Sequence, residues 1–205
     1  MHHEALTAEG KKVFPALVKF TGFYLAGGTA LALQLGHRIS VDFDLFSSAP
    51  IKKTLLPTVE RIFSGTLVRT LVNNRDQLTC LVGGVKTTWL HYPFPVLRKL
   101  VTLDGQPTLD VPELAATKAY TIGRRGTFKD YVDLYAVVQG NHIALPDLIA
   151  LAEKKYGDAF NARLFLEQLI YLDDIPDTEI TFLIKPVSKH EIEKYFKKNV
   201  KTVRI

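Results

Sequence analysis

Asp42 and Asp44 stand two residues apart in Val41-Asp-Phe-Asp-Leu-Phe46. As a strand this alternating segment turns Val41, Phe43 and Leu45 to one face and Asp42, Asp44 and Phe46 to the other. Carboxylates at i and i+2 project side by side, within reach of one divalent cation or a bridged pair. Without a cation they repel, and Asp is a poor strand former, so the pair calls for a positive partner. Arg38 is the structural alternative. The second chemical feature is Gly27-Gly28-Thr29. Two glycines ahead of a helix let backbone N–H groups approach a phosphate without interference from Cβ, and the helix N-terminus and the Thr29 hydroxyl add donors and a favourable dipole. Alone, the glycines also fit an ordinary strand-to-helix turn. In sequence, a strand, Gly-Gly-Thr, a helix and an Asp-x-Asp strand bring phosphate donors and metal ligands together.

The positioning elements are legible around these residues. Phe23 to Ala26 is a short apolar strand, and Thr29 to Leu35 has helix-forming composition and stops at Gly36. Residues 51 to 64 read as an amphipathic helix that Pro57 kinks or interrupts. Strands are expected at about 66–72, 77–82 and 85–91, joined by Asn73-Asn74-Arg75-Asp76 and Gly83-Gly84 turns into an antiparallel meander. The aspartate strand adds to it, giving a mixed sheet with helices on one side. Beyond Pro107 the pattern turns helical. Asp110-Val-Pro-Glu113 opens a helix reaching about Gly123, Arg124-Arg125-Gly126 is a basic loop, and Thr127-Phe-Lys-Asp130 caps a helix to Gly140 with Tyr131, Leu134, Tyr135 and Val138 at core spacing. Helices follow at 145–156 and 158–171, then a strand at 179–184 and a last helix opened by Ser188-Lys-His-Glu191. The fold class is therefore α+β: a catalytic sheet domain over residues 1–105 and a helical lobe with a basic end over 106–205.

Composition removes several function classes. The single cysteine, Cys80, excludes an intrachain disulfide, and its place in the apolar run 78–82 makes it a core residue. No Cys/His cluster has zinc-site spacing. No run of eighteen apolar residues exists and the first residues lack a signal-peptide layout, so a cytoplasmic protein with no membrane partner is expected. The net charge of +5 is local. Seven Lys or Arg against Glu191 and Glu193 lie between Lys185 and Ile205, which leaves the rest of the chain neutral. Lys189, Lys194, Lys197, Lys198 and Lys201, with Arg124 and Arg125, are candidate nucleic-acid contacts; the alternative is a solvated helix face.

Gly27-Gly28-Thr29-Ala-Leu-Ala-Leu33 followed by Gly36-His37-Arg38-Ile-Ser40-Val-Asp42-Phe-Asp44-Leu-Phe46 resembles the signature of the AbiEii toxin family, nucleotidyltransferases of the DNA polymerase β type. Leu114-Ala-Ala-Thr-Lys118 and Arg125-Gly-Thr-Phe-Lys129-Asp130-Tyr-Val-Asp133-Leu-Tyr135 resemble the downstream Lys and Lys-Asp-x-x-Asp-Leu motifs. The resemblance implies a two-lobed fold, Mg²⁺ or Mn²⁺ held by Asp42 and Asp44, and a nucleoside triphosphate bound by Gly27, Gly28 and Thr29 with Arg38 and Ser40 nearby. It also implies Lys118 on the triphosphate, where a fixed cation stabilises the departing pyrophosphate. Asp130 and Asp133, at i and i+3, share a helix face and could act together on metal, ribose or acceptor; Asp130 also sits where it can simply cap. The implied activity is NMP transfer to a hydroxyl of tRNA or other RNA, by the toxin of a toxin–antitoxin pair with a cognate antitoxin.

The third metal-site position departs from the superfamily pattern. The superfamily usually supplies a third carboxylate from a neighbouring strand, and the corresponding stretch here, Val85-Lys-Thr-Thr-Trp-Leu90, offers Thr87 or Thr88. The customary base is then missing, which motivates a non-catalytic nucleotide-binding module as one alternative; another keeps the site and changes the acceptor to a protein or antibiotic hydroxyl, an adenylyltransferase.

Overall fold

The alternation around Asp44 survives as β2, Phe43–Ser47, whose residues 43, 45 and 47 are buried while Asp44 and Phe46 stay half exposed. A computed structural model describes residues 1–203, with the Arg125 side chain left out of the description. The chain forms two compact units, Met1–Leu109 and Asp110–Ile205.

In the first unit, α1 (Ala8–Val13) precedes β1 (Tyr24–Ala26), α2 (Gly27–Leu35), β2, α3 (Leu55–Ile62), β3 (Val68–Asn73), β4 (Gln77–Val82), β5 (Val85–His91), β6 (Val101–Leu103) and β7 (Gln106–Thr108). The strands make one sheet in the order β3-β4-β5-β2-β1-β7-β6. The meander β3-β4-β5 is antiparallel, and β2 joins it parallel to β5 and antiparallel to β1. The sheet is thus mixed, as the sequence predicts. Its core is aliphatic and aromatic: Leu25, Leu45, Leu78, Cys80 and Trp89 are fully buried, with Phe20 packed 4.9 Å from the Trp89 ring. Burial pushes the Cys80 thiol up, away from the thiolate a nucleophile needs.

Several elements differ from expectation for physical reasons. Val41 and Asp42 both precede β2, which begins only at Phe43, so the expected i, i+2 strand pair of Asp42 and Asp44 is not formed, and Val41 is 48% exposed. The helix expected over 51–64 is confined to Leu55–Ile62, and Pro57 interrupts nothing, since the first turn needs no N–H donor there. The β6–β7 hairpin is an addition to the expected strands; Asp104 and Gly105 at its tip both have positive φ, the requirement of a two-residue hairpin turn.

The second unit comprises α4 (Val111–Arg125), α5 (Phe128–Gln139), α6 (Leu145–Tyr156), α7 (Ala162–Leu169) and α8 (Lys189–Val200). Their shared core includes Leu114, Tyr131, Leu134, Leu148, Phe165 and Phe196. Both expected capping boxes, Thr127/Asp130 and Ser188/Glu191, are formed. Arg124 and Arg125 belong to α4 and not to a loop: the helix continues through Gly123 and stops at Gly126. Residues 179–184 form no regular strand; Phe182 alone among them carries an isolated β-bridge. Glu113, expected to close the α4 cap, instead accepts from Lys155 Nζ at 2.7 Å, and both side chains are wholly buried. Asp110 caps, accepting from the Glu113 N–H at 3.0 Å.

Candidate active site

β1 runs into α2 without a linker, so the turn between them must reverse within a residue or two. Gly27 makes that turn at φ +69°, a left-handed conformation that favours glycine. β1 and β2 are paired so that Ala26 faces Asp44, which sets the carboxylate against the turn. A Cβ on Gly27 would overlap Asp44 Oδ2 and come within 3.1 Å of the Asp44 Cβ and Cγ. The carboxylate therefore lies on the glycine, at the N-terminus of α2, where Ala26 supplies no side-chain cap to the first backbone N–H groups. The backbone donors of this first turn and the helix dipole favour an anion at this end.

The loop carrying Asp42 is fixed from the same helix. The Thr29 hydroxyl donates to the Asp42 carbonyl and lies 2.7 Å from Ser40 Oγ; Thr29 and Ser40 are buried. Ser40 is held in turn by its N–H donating to the Ala5 carbonyl at 2.8 Å. Thr29 and Ser40, expected at the nucleotide, thus turn their hydroxyls to each other and to the aspartate loop, while the Gly28 and Thr29 backbone stays at the helix start. Arg38 is buried rather than solvated, with Nη1 donating to the Ile39 carbonyl at 3.1 Å.

Strand register separates the two threonine candidates on β5. β2 and β5 pair Asp44 with Thr88 and Phe43 with Thr87, so Thr88 shares the face of Asp44 and Thr87 the opposite one. Thr88 Oγ1 lies 3.2 Å from Thr79 Oγ1 on β4. Two hydroxyls thus face each other in the row beside Asp44. Among the described residues no group of three or more His, Cys, Asp or Glu is placed to hold a metal.

The remaining predicted residues meet in the helical unit. Lys118 Nζ, on α4, sits 2.7 Å from Asp130 Oδ1 and 2.7 Å from Asp133 Oδ2, both on α5. Asp130 does two jobs: its Oδ2 accepts from the Thr127 N–H and hydroxyl at 2.9 and 2.8 Å. Asp133 is fully buried. The basic candidates divide. Lys189 donates to the Ile175 carbonyl and pairs with Asp177 at 2.8 Å, and Lys197 pairs with Glu193 at 2.5 Å. Lys194, Lys198 and Lys201 are exposed at i, i+4 and i+7, with no ion pair among the described residues. Arg204 and the Arg125 side chain lie outside the described residues. Tyr120 escapes a sequence reading; it packs under Arg124 with the guanidinium 4.4 Å from its ring centroid, and the i, i+4 aromatic–Arg spacing is the available signal.

A protein-family model described as "Nucleotidyl transferase AbiEii toxin, Type IV TA system" matches residues 12–94 and 84–202, most of the chain. The chain belongs to the AbiEii family. This AbiEii protein is 32% identical over 181 residues to an uncharacterized protein of Aquifex aeolicus, aq_aa25, covering 87% of this chain and 86% of the other. In structure it is similar to MenT4, the nucleotidyltransferase toxin Rv2826c of Mycobacterium tuberculosis H37Rv, with a TM-score of 0.66 at 17% identity over 92% of this chain and 80% of that one. It is also similar to JHP933 of Helicobacter pylori, with a TM-score of 0.53 at 16% identity over 98% and 97% of the two chains. At those identities the likeness is one of fold. The mixed sheet with its helical second unit is the nucleotidyltransferase fold that the α+β expectation called for, and this AbiEii chain is a member of a nucleotidyltransferase toxin family. None of its helices among the described residues is long and apolar enough to cross a membrane.

Proposed function

We propose that this AbiEii chain transfers a nucleoside monophosphate from an NTP to a hydroxyl of RNA, tRNA being the first acceptor to test, as the cytoplasmic toxin partner of a cognate antitoxin. One observation carries the reading: the Asp44 carboxylate lies directly on the Gly27 turn, so a metal ligand and a phosphate-binding helix start share one point of the sheet. In this reading the backbone N–H groups of Gly27, Gly28 and Thr29 hold the phosphates, and the Thr29–Ser40 contact keeps the Asp42 loop in place. Two carboxylates suit Mg²⁺ or Mn²⁺, because such a cation takes one or two protein oxygens and completes its shell with phosphate and water. When bound, it neutralises phosphoryl charge and acidifies the attacking hydroxyl. The acceptor hydroxyl loses its proton to solvent water as its oxygen bonds to the α-phosphorus, the bond to the bridging α,β-oxygen breaks, and pyrophosphate leaves. Lys118, Asp130 and Asp133 form a charged cluster within the helical unit, with the Lys118 ammonium 2.7 Å from each carboxylate.

Each labelled NTP, incubated with total tRNA and either wild type or Asp44→Ala, tests the proposal. Label on RNA from wild type alone supports it, and label on protein or a hydroxyl-bearing antibiotic moves the acceptor. Thr88, a hydroxyl and not a carboxylate beside Asp44, supports a second reading, a nucleotide-binding module without turnover, for which binding occurs with no label transferred.

The exposed Lys194/Lys198/Lys201 stripe is proposed as the RNA backbone contact. Replacing all three with Gln is expected to reduce the slope of log affinity against log salt by up to about 2, at roughly 0.7 per neutralised phosphate of a single strand. NTP affinity should stay unchanged; equal losses for both ligands would refute this division of labour.

A further inference from the structure

A slot of about 270 Å³ opens on the helical unit between α4 and the start of α7, lined by Tyr120, Gly123, Arg124, Phe160, Asn161 and Leu164. Its chemistry is specific. Tyr156 and Tyr120 stack at 4.1 Å with planes 14° apart, and the Arg124 guanidinium lies over the Tyr120 ring, 4.4 Å from its centroid. Arg124 Nη2 donates to the Ala159 carbonyl at 3.1 Å, which holds the guanidinium in place although the residue is exposed. The outermost layer is therefore a planar cation facing solvent, anchored at one nitrogen. Phe160 and the 42% exposed Leu164 give apolar walls, and among the described residues no carboxylate lines the slot. At its edge Asn161 uses Oδ1 to accept from the Leu164 N–H at 2.9 Å, leaving its amide N–H₂ as a donor.

Gly123 supplies an independent observation. A glycine inside a helix destabilises it by about 0.5–1 kcal/mol relative to alanine, so its place in the interior of α4 asks for a reason. Packing gives none: a Cβ there would meet only Phe165 Cα and Cβ at 3.9 Å, ordinary contact distances. Gly123 lines the slot, and a side chain there would narrow it.

We infer that this slot takes a single unstacked nucleobase of the RNA strand, laid against the Arg124 plane with its edge accepting from Asn161, an inference that rests on the RNA reading above. A flat cationic layer over stacked aromatics recognises a π-face, and apolar walls with one polar donor at the rim suit a base better than a phosphate or a peptide. The site needs charge and planarity together, which separates it from a phosphate contact that needs charge alone.

The experiment uses the full chain and a single-stranded RNA oligonucleotide carrying 2-aminopurine at successive positions, with affinity, fluorescence quenching and salt slope as readouts. Wild type quenches the probe at one position. Arg124→Lys keeps the charge and loses the plane, and is expected to weaken binding by about fivefold or more and abolish that quenching with the salt slope unchanged. Gly123→Ala narrows the slot by one methyl without altering charge, and is expected to reduce the quenching while its melting temperature holds or rises. NTP affinity stays at the wild-type value in both. Wild-type affinity and quenching in Arg124→Lys, or quenching at no position, overturns the inference and leaves the RNA reading standing. NTP binding weakened with RNA binding intact also overturns it. Failure of the wild-type protein to bind RNA at all sinks both.

Discussion

Gly27→Ala is expected to lower label transfer by at least about a hundredfold, the loss that a displacement of roughly 1 Å at reacting groups produces. Two effects combine at this position. The left-handed conformation at φ +69° costs a side-chain-bearing residue about 1–2 kcal/mol, and the new methyl occupies the space of Asp44 Oδ2. The carboxylate must swing off the turn or the turn must move off the strand, and either change separates the metal ligand from the phosphate donors. Gly65→Ala isolates the first effect, since Gly65 has φ +88° and a methyl added there would meet nothing within 4 Å. It should lose stability by a similar amount and retain transfer. Thermal melts of both variants beside the labelling assay make the comparison. If Gly27→Ala transfers as well as Gly65→Ala, the contact between Asp44 and the turn does not carry the chemistry.

The elements that hold this contact are legible in the sequence because each is local. Tyr24–Ala26, the helix ending at left-handed Gly36 and the alternation through Asp44 are patterns of a few residues whose burial the structure repeats. What escapes such a reading is whatever depends on register or on a distant partner. Thr87 and Thr88 are indistinguishable in sequence, and only the parallel pairing of β2 with β5 puts Thr88 beside Asp44. Lys118, Asp130 and Asp133 each stand out by motif, but that one ammonium sits between two carboxylates follows from the packing of α4 on α5. Arg124 and Arg125 read as a loop because Gly123 suggests a stop; the helix passes through it since one glycine lowers helix stability without breaking the hydrogen-bond ladder. The Asp104-Gly105 hairpin does carry a signal, an Asp-Gly pair, flanked by strands of three residues that are too short to show alternation.

Stability of the helical unit is expected to hinge on Lys155. Its ammonium meets Glu113 Oε1 at 2.7 Å with side-chain exposures of 0% and 1%, so neither charge has access to water. Lys155→Met removes the cation and leaves Glu113 enclosed, a change expected to destabilise the protein by about 3–5 kcal/mol, a large part of the roughly 5–15 kcal/mol that holds a typical domain. The destabilisation comes from the carboxylate left behind rather than from the attraction lost. Neutralising both ends in Glu113→Gln/Lys155→Met should therefore recover most of it, because a neutral amide carries a far smaller burial penalty than an ion. Urea unfolding of wild type, the single variant and the double variant measures the difference. A single variant within about 1 kcal/mol of wild type would mean that Glu113 reaches water or another cation once Lys155 is gone, and that α4 and α6 are held together by their apolar contacts alone.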